Sequence, residues 1–391
     1  MDFELDEAQR AVQQGVRQVA RAFDLDYWRE VDARPRFPEE FWRALADGGW
    51  LGIVIPPEYG GSGLGTLELA IAIEEVAASG AGAAAGFLFI LNSVFGAVTI
   101  VKHGSQEQKG RYLPGLANGS LEFCMALTEP DAGTNTPRLT TTARRDGDGW
   151  LVDGQKVFIS GADRAGGMLL VARTAVPEGH GSRTRGLSLF LLDPRSPGID
   201  IRPIEKLGIH MSSTSFIHFD HVRVPASGLV GEEGRGWRML LDTLNPERIA
   251  TTATCVGTGD LVLRLAVDYA RERKVFGAPI GTHQGLAFPL AQYKAQLELA
   301  RLMNYRAAWA FDRGMPCGAD TNMAKYVAAA AAFRAADQAM QVHGGYGYTT
   351  EYHIERYWRD LRLFRTAPVS QEMTLNYIAE HVLGLPKSYG D

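Results

Sequence analysis

The chain is poor in cysteine, with three in 391 residues (Cys124, Cys255 and Cys317) and no CxxC pair among them. That excludes a disulfide framework and gives no metal site, and it fits reduced thiols in a cytoplasmic protein. No block of Lys and Arg stands out and the formal net charge is −5, so no nucleic-acid partner is expected. The start, "MDFELDEAQRAVQQGV", has neither the basic, apolar build of a secretory signal nor the Arg-rich, acid-poor build of a transit peptide. Long uncharged runs are scarce too. The exception is Val76 to Val101, "VAASGAGAAAGFLFILNSVFGAVTIV", which is long enough to cross a bilayer. It is dominated by Ala and Gly and holds Asn92 and Ser93, so a buried helical segment is expected and no membrane span. Internal repeats and low-complexity linkers are absent.

What is present is ordinary for a globular chain of two or three domains, with 46% hydrophobic and 22% charged residues. Residues 1–120 read as a helical domain, because "DEAQRAVQQGVRQVARAF" and "LELAIAIEEVA" repeat apolar residues at helical spacing. The loop "IPPEYGGSGLGT" between them reads as a turn rather than a phosphate loop. Residues 121–230 read as a β-barrel or sandwich. "GWLVDGQKVFIS" predicts two short strands around an Asp153-Gly154 turn, and "MLLVART", "LSLFLLD" and "SFIHFDHVRV" predict more. Residues 231–391 return to long amphipathic helices, among them "TGDLVLRLAVDYARER" and "NMAKYVAAAAAFRAADQAMQVH", and predict a four-helix bundle.

Four segments carry a resemblance. "MALTEPDAGTN" (Met125 to Asn135), "KVFISG" (Lys156 to Gly161), "RKVFGAPIGTHQ" (Arg273 to Gln284) and "QVHGGYGY" (Gln341 to Tyr348) are similar, in order and over more than 200 residues, to the flavin and substrate signatures of the acyl-CoA dehydrogenase family. The domain plan matches as well. The resemblance implies FAD, an acyl-CoA thioester as substrate, an electron-transfer flavoprotein as acceptor and a homo-oligomer, a tetramer or dimer. The implied reaction removes hydrogens from two neighbouring carbons: a base takes the α-proton and flavin N5 takes the β-hydrogen as hydride. It implies flavin contacts for Leu127, Thr128, Phe158 and Ser160, with Phe158 standing where the family often has tryptophan. It implies dinucleotide contacts for Arg273, Phe276, Gln284, Gln341, Val342, Gly344 and Gly345, and a pantetheine contact for Thr134. Read without the family, Thr128 also suits a turn cap, Phe158 a strand core, Arg273 a solvated charge and Gly344-Gly345 a helix C-cap.

Most of the family keeps its catalytic glutamate near the C-terminus. Here Pro368 falls on that position, and proline has no N–H to offer a thioester oxygen; Ala367 and Val369 are the neighbouring amides. Ser370 and Glu372 are read as FAD contacts. A minority of the family, isovaleryl- and long-chain-type enzymes, carries the base earlier, just before an arginine, where "LDTLNPERIATT" places Glu247 and Arg248. Local rules predict a helix starting there, with Asn245 as N-cap, Pro246 at its first position and Glu247 in its first turn. Glu247 is the expected base, and Arg248 is expected to order the base or the substrate. Two alternatives stay open: a dehydrogenase of carrier-tethered acyl or aminoacyl groups, and a non-catalytic paralogue that binds a partner.

Overall fold

A computed structural model describes residues 4–175 and 184–388. Its first part is helical: α1 (Glu7–Ala20), α2 (Leu25–Ala33), α3 (Glu39–Asp47), α4 (Thr66–Val76), α5 (Ala83–Phe89), α6 (Thr99–His103) and α7 (Gln106–Ala117). Capping fixes two of the starts. Asp6 accepts from the Gln9 amide while the Gln9 side chain returns to the Asp6 N–H, and Ser105 and Gln108 do the same for α7. The "PPEYGG" loop is a short 3-10 turn closed by Gly60 at φ 86, with no phosphate-loop geometry.

The uncharged run from Val76 to Val101 is nearly all helix, with π-helical stretches at Ala77–Ala81 and Ile90–Val98. It breaks at Gly82, where φ is 56 and an added Cβ would lie 2.6 Å from the Tyr357 ring. Ala83–His103 is long and apolar enough to cross a membrane, but 83% of its apolar window is buried inside the protein. It is a core helix.

The middle part is an eight-stranded sheet of β1 (Phe123–Ala126), β2 (Thr142–Asp146), β3 (Gly149–Ser160), β4 (Gly167–Arg173), β5 (Leu187–Leu192), β6 (Ile199–Pro203), β7 (Thr214–Val224) and β8 (Leu229–Val230), in the order β6-β7-β3-β2-β4-β5-β8 with β1 beside β4. Strands β4 and β5 read as unbroken apolar runs because both faces are covered. Leu170 and Phe190 point into the sheet's own core, while Leu169, Val171, Leu189 and Leu191 pack on the helices. The sequence expectation of a hairpin at Asp153-Gly154 is wrong. Both halves pair with β7 in one continuous strand, and Gly154 marks a register shift, pressed against Thr141. The real hairpin joins β2 to β3 between Asp146 and Gly149.

The last part holds α8 (Gly236–Glu272), a small hairpin of β9 (Lys274–Val275) and β10 (Ala278–Pro279), then α9 (Gln284–Asp312), α10 (Gly318–His343), α11 (Ile354–Leu363) and α12 (Gln371–His381). Helices α8, α9 and α10 pack together along a seam of Ala, Gly and Thr, with α11 and α12 against α10. A second expectation fails here. No helix starts at Asn245; α8 runs straight through it, with Pro246 inside. The proline forfeits only the bond to the Asp242 carbonyl, and burial of nearly every residue from Ile249 to Gly259 holds the helix together around that loss.

Candidate active site

Three stretches of chain meet along Ala83–His103. Leu91 lies against Gly161, next to Ser160: a Cβ added there would be 3.1 Å from Leu91 Cδ1. Gly86 sits on Thr254, about two turns beyond Glu247 on α8. The Phe87 ring is 6.3 Å from that of Phe364, four residues before Pro368. The apolar helix therefore brings the end of β3, the middle of α8 and the turn before α12 to one place.

At the sheet end of this site the backbone is fixed by a buried ion pair. Lys156 Nζ donates to the Leu127 carbonyl at 2.8 Å and to Glu129 Oε1 at 2.9 Å. Glu129 also accepts from both Thr140 donors and from the Thr141 amide. Burial alone would raise the Glu129 carboxyl, but the Lys156 ammonium and these hydrogen bonds hold it down at about 2. The Val157 amide donates to the Thr128 carbonyl at 2.9 Å, which ties the Thr128 loop to β3. The next residue, Phe158, sits on a bulge at φ 61 and is 65% exposed. A bulky side chain in the left-handed region, turned outward beside two buried neighbours, is strained. Its flat face is available to a planar ring, and the Thr128 and Ser160 hydroxyls make no hydrogen bond among the described residues. This edge suits a flavin. Thr134 lies exposed on the following loop.

On α8, Glu247 is 8% exposed, and no hydrogen bond reaches its carboxylate among the described residues. Its place mid-helix corrects the expected cause of its chemistry: the first-turn dipole does not act here. Burial pushes the Glu247 carboxyl up, Arg248 and Lys325 pull it back, and it settles at about 7. Arg248 Nη1 donates to the Leu244 carbonyl at 3.0 Å, while Arg248 Nε is buried without a partner. Burial lowers the Arg248 pKa, which the neighbouring Glu247 charge partly offsets.

Around Pro368, preceded by a cis peptide bond, the Ala367 amide donates to Leu363 at 2.9 Å, so of the two neighbouring amides only that of Val369 is uncommitted among the described residues. Ser370 caps α12 by accepting from the Met373 amide at 3.2 Å. Glu372 is exposed in the first turn of α12.

The remaining predicted residues form a separate group. Arg273, Phe276, Gln284, Gln341, Gly344 and Gly345 are exposed around the β9–β10 hairpin and the end of α10, with Phe276 95% exposed. Val342 departs from this group: its side chain faces the core at 4% exposure, because it follows Ala335 and Ala339 on the buried stripe of α10. Lys156, Glu129 and Lys325 went unread in the sequence. The available signal was a lysine inside an apolar strand and another inside an alanine-rich helix.

A helical domain, a sheet edge suited to a flavin and a buried carboxylate titrating near neutrality define a flavin-dependent dehydrogenase. The chain belongs to the acyl-CoA dehydrogenase family: the N-terminal, middle and C-terminal domain models of that family match residues 6–120, 124–222 and 234–383. It is 43% identical over 385 residues to the acyl-CoA dehydrogenase FadE12 of Mycobacterium tuberculosis, covering 98% of each chain. Glutaryl-CoA dehydrogenase, solved as its glutaryl-CoA complex, is 34% identical with a TM-score of 0.93, covering 100% of this chain and 99% of that one. The FAD complex of PigA is 28% identical with a TM-score of 0.93, covering 98% and 100%.

Proposed function

We propose that this chain dehydrogenates an acyl-CoA thioester between its α and β carbons, with Glu247 taking the α-proton. The observation that carries the reading is the state of Glu247: a buried carboxylate, free of hydrogen bonds among the described residues, titrating at about 7 beside an apolar helix. A carboxylate kept this basic can accept a carbon-bound proton at neutral pH, which a solvated one does poorly. FAD, held by Leu127, Thr128, Phe158 and Ser160, with Ser370 and Glu372 nearby, supplies the hydride acceptor when bound. The run of uncharged side chains from Phe87 to Leu91 excludes water from the acyl group, which strengthens every charge interaction in the site. Arg248 supports the substrate role read for it, because a buried guanidinium with an unpaired Nε needs an acceptor from outside the chain. Thr134 is read as the pantetheine contact, and the Val369 amide as the donor to the thioester oxygen in place of the N–H that Pro368 lacks.

The second group serves the dinucleotide end of FAD in this reading. Arg273, Gln284, Gln341, Gly344 and Gly345 surround an exposed Phe276, and the chain also exposes Phe288, Leu299, Leu302 and Trp309 on α9. Such a surface favours a homo-oligomer, with Arg273 reaching the cofactor of a neighbouring copy. An electron-transfer flavoprotein is the proposed acceptor, and the unpaired cysteines fit a cytoplasmic setting.

The test is anaerobic titration of the FAD-loaded protein with a panel of acyl-CoA thioesters, following flavin absorbance. Bleaching by at least one thioester, lost in Glu247→Gln with FAD retained, is the expected result. Bleaching of Glu247→Gln at the wild-type rate removes the base assignment, and no bleaching by any thioester removes the substrate class.

A further inference from the structure

Lys325 is a buried charged group to which the proposed reaction gives no task. It lies on α10 at 0% exposure, surrounded by Ala324, Ala328 and Ala329. Its ammonium donates to one atom, the carbonyl of Val369, directly after Pro368. No ion pair satisfies it among the described residues. Taking an ammonium out of water costs several kcal/mol, and an apolar side chain would fill the same space without that cost. The charges around it explain why a lysine stands here. From α8 it faces Glu247, Arg248 and Cys255, and from α12 it faces Glu372. Glu247 in turn is faced by Arg248 on its own helix and by Lys325 across from it. Arg248 is also faced by Tyr377 on α12 and by Cys317 before α10.

We propose that Lys325 is a positioning residue for the dehydrogenation: its ammonium anchors the Pro368–Ser370 turn to α10 and adds its positive field to that of Arg248, favouring the ionised form of Glu247, the form able to accept the α-proton. The inference rests on Glu247 being the base. Two effects combine in one atom. The bond to the Val369 carbonyl ties residue 369 to α10, and the charge opposes the burial that drives Glu247 toward its neutral form. Burial also lowers Lys325 itself, to about 8, so its positive field fades as pH rises above that value. With Lys325 neutralised, Arg248 alone opposes burial, and Glu247 titrates higher.

The test uses FAD-loaded Lys325→Met and Lys325→Arg beside wild type and Glu247→Gln. The rate of flavin bleaching in a single turnover is measured against pH. In Lys325→Met the acid limb of the profile moves up by about one pH unit or more, which makes the variant about tenfold slower on that limb while the rate recovers at higher pH. Lys325→Arg, which keeps the charge, restores the limb toward wild type. A Met variant slowed by one constant factor at every pH, with its limb unmoved, overturns the proposal and leaves Lys325 a packing residue. If the Met variant fails to hold FAD, Lys325→Gln takes its place, since it can still donate to Val369 without the charge; a displaced limb supports the proposal and an unmoved one overturns it. Glu247→Gln separates the two claims. Its retained activity brings down the base reading itself, whereas an inactive Glu247→Gln with an unmoved limb in the Lys325 variants brings down this inference alone.

Discussion

Among the described residues the protein holds two buried Lys–Glu combinations, and they behave in opposite ways. In the sheet, Lys156 and Glu129 touch at 2.9 Å, Glu129 takes further hydrogen bonds from Thr140 and Thr141, and its carboxyl is held down at about 2. In the bundle, Lys325 acts on Glu247 through its field without an ion pair, no donor reaches the carboxylate, and it titrates at about 7. Both carboxylates are buried to a similar degree, at 3% and 8% exposure. Burial raises both carboxylates, and what offsets it differs. The Lys156 charge in contact with Glu129, and after it the hydrogen bonds from Thr141 and Thr140, bring that carboxyl down, whereas Glu247 has no such contact among the described residues. Glu129, paired and hydrogen-bonded, fastens the Leu127–Glu129 loop, and Glu247, with no such partner among the described residues, is the carboxylate proposed as the base.

The largest expected effect breaks the unsatisfied member. Glu247→Gln slows flavin bleaching by about 10²–10⁴-fold, the range for losing a positioned general base, as read in anaerobic rapid mixing. Next comes the satisfied pair. Lys156→Met leaves Glu129 charged and buried without its counter-ion, which costs about 3–5 kcal/mol. The melting temperature falls and FAD is lost, while the double variant Lys156→Met with Glu129→Gln is milder than the single one. A Lys156→Met protein as stable as wild type refutes the fastener role.

These two combinations were unequally legible in the sequence. The family motifs and the three-part plan are readable; Glu247 is singled out only because Pro368 occupies the usual base position, and local rules give it the wrong environment. Asn245-Pro246 looks like a helix start by local rules, yet packing of α8 against its neighbours overrides them. Asp153-Gly154 looks like a hairpin, yet pairing with β7 keeps the strand continuous. Lys156 and Lys325 were invisible for a related reason. A lysine in a helix or strand pattern reads as a solvated face, and only the tertiary structure shows α10 covered by α8, α9, α11 and α12. Local chemistry predicts local shape; what surrounds a charge on all sides is not local.

The contrast also predicts a pH-dependent stability. Glu247 has a folded pKa of about 7 against an ordinary value of 4.5, so the folded chain binds this proton more tightly than the unfolded chain. The contribution is favourable when both states are protonated, declines as pH rises from about 4.5 to about 7, and above that amounts to a cost of up to about 3 kcal/mol. Glu247→Gln never ionises and escapes it. The inactive variant therefore melts higher than wild type at about pH 8, and the gap closes toward about pH 5. An equal gap at both pH values excludes an elevated Glu247. A smaller effect is expected at Phe158, whose left-handed backbone costs a side chain about 1–2 kcal/mol. Phe158→Gly relieves that strain, so the FAD-free protein is unchanged or more stable by about 1 kcal/mol. The same variant holds FAD about fivefold less tightly, because a stacking contact of roughly 1 kcal/mol is gone.

The smallest expected effect completes the comparison, because it tests contact without burial. Arg144 donates to Asp153 at 2.7 Å, as short as the Lys156–Glu129 contact, and Asp153 also accepts from the His221 amide at 2.9 Å. The difference is solvent: the Arg144 side chain is 65% exposed. Water already stabilises both charges there, so the pair gains little by meeting, and salt screens what remains. Arg144→Ala should change stability by less than about 1 kcal/mol, with the difference shrinking further in high salt. A loss comparable to that of Lys156→Met, measured by denaturant unfolding at two salt concentrations, would mean that contact distance alone sets the strength of these pairs. The expected near-silence of Arg144→Ala means instead that a Lys–Glu or Arg–Asp contact becomes a fastener only where water is excluded, as it is around Lys156 and Glu129.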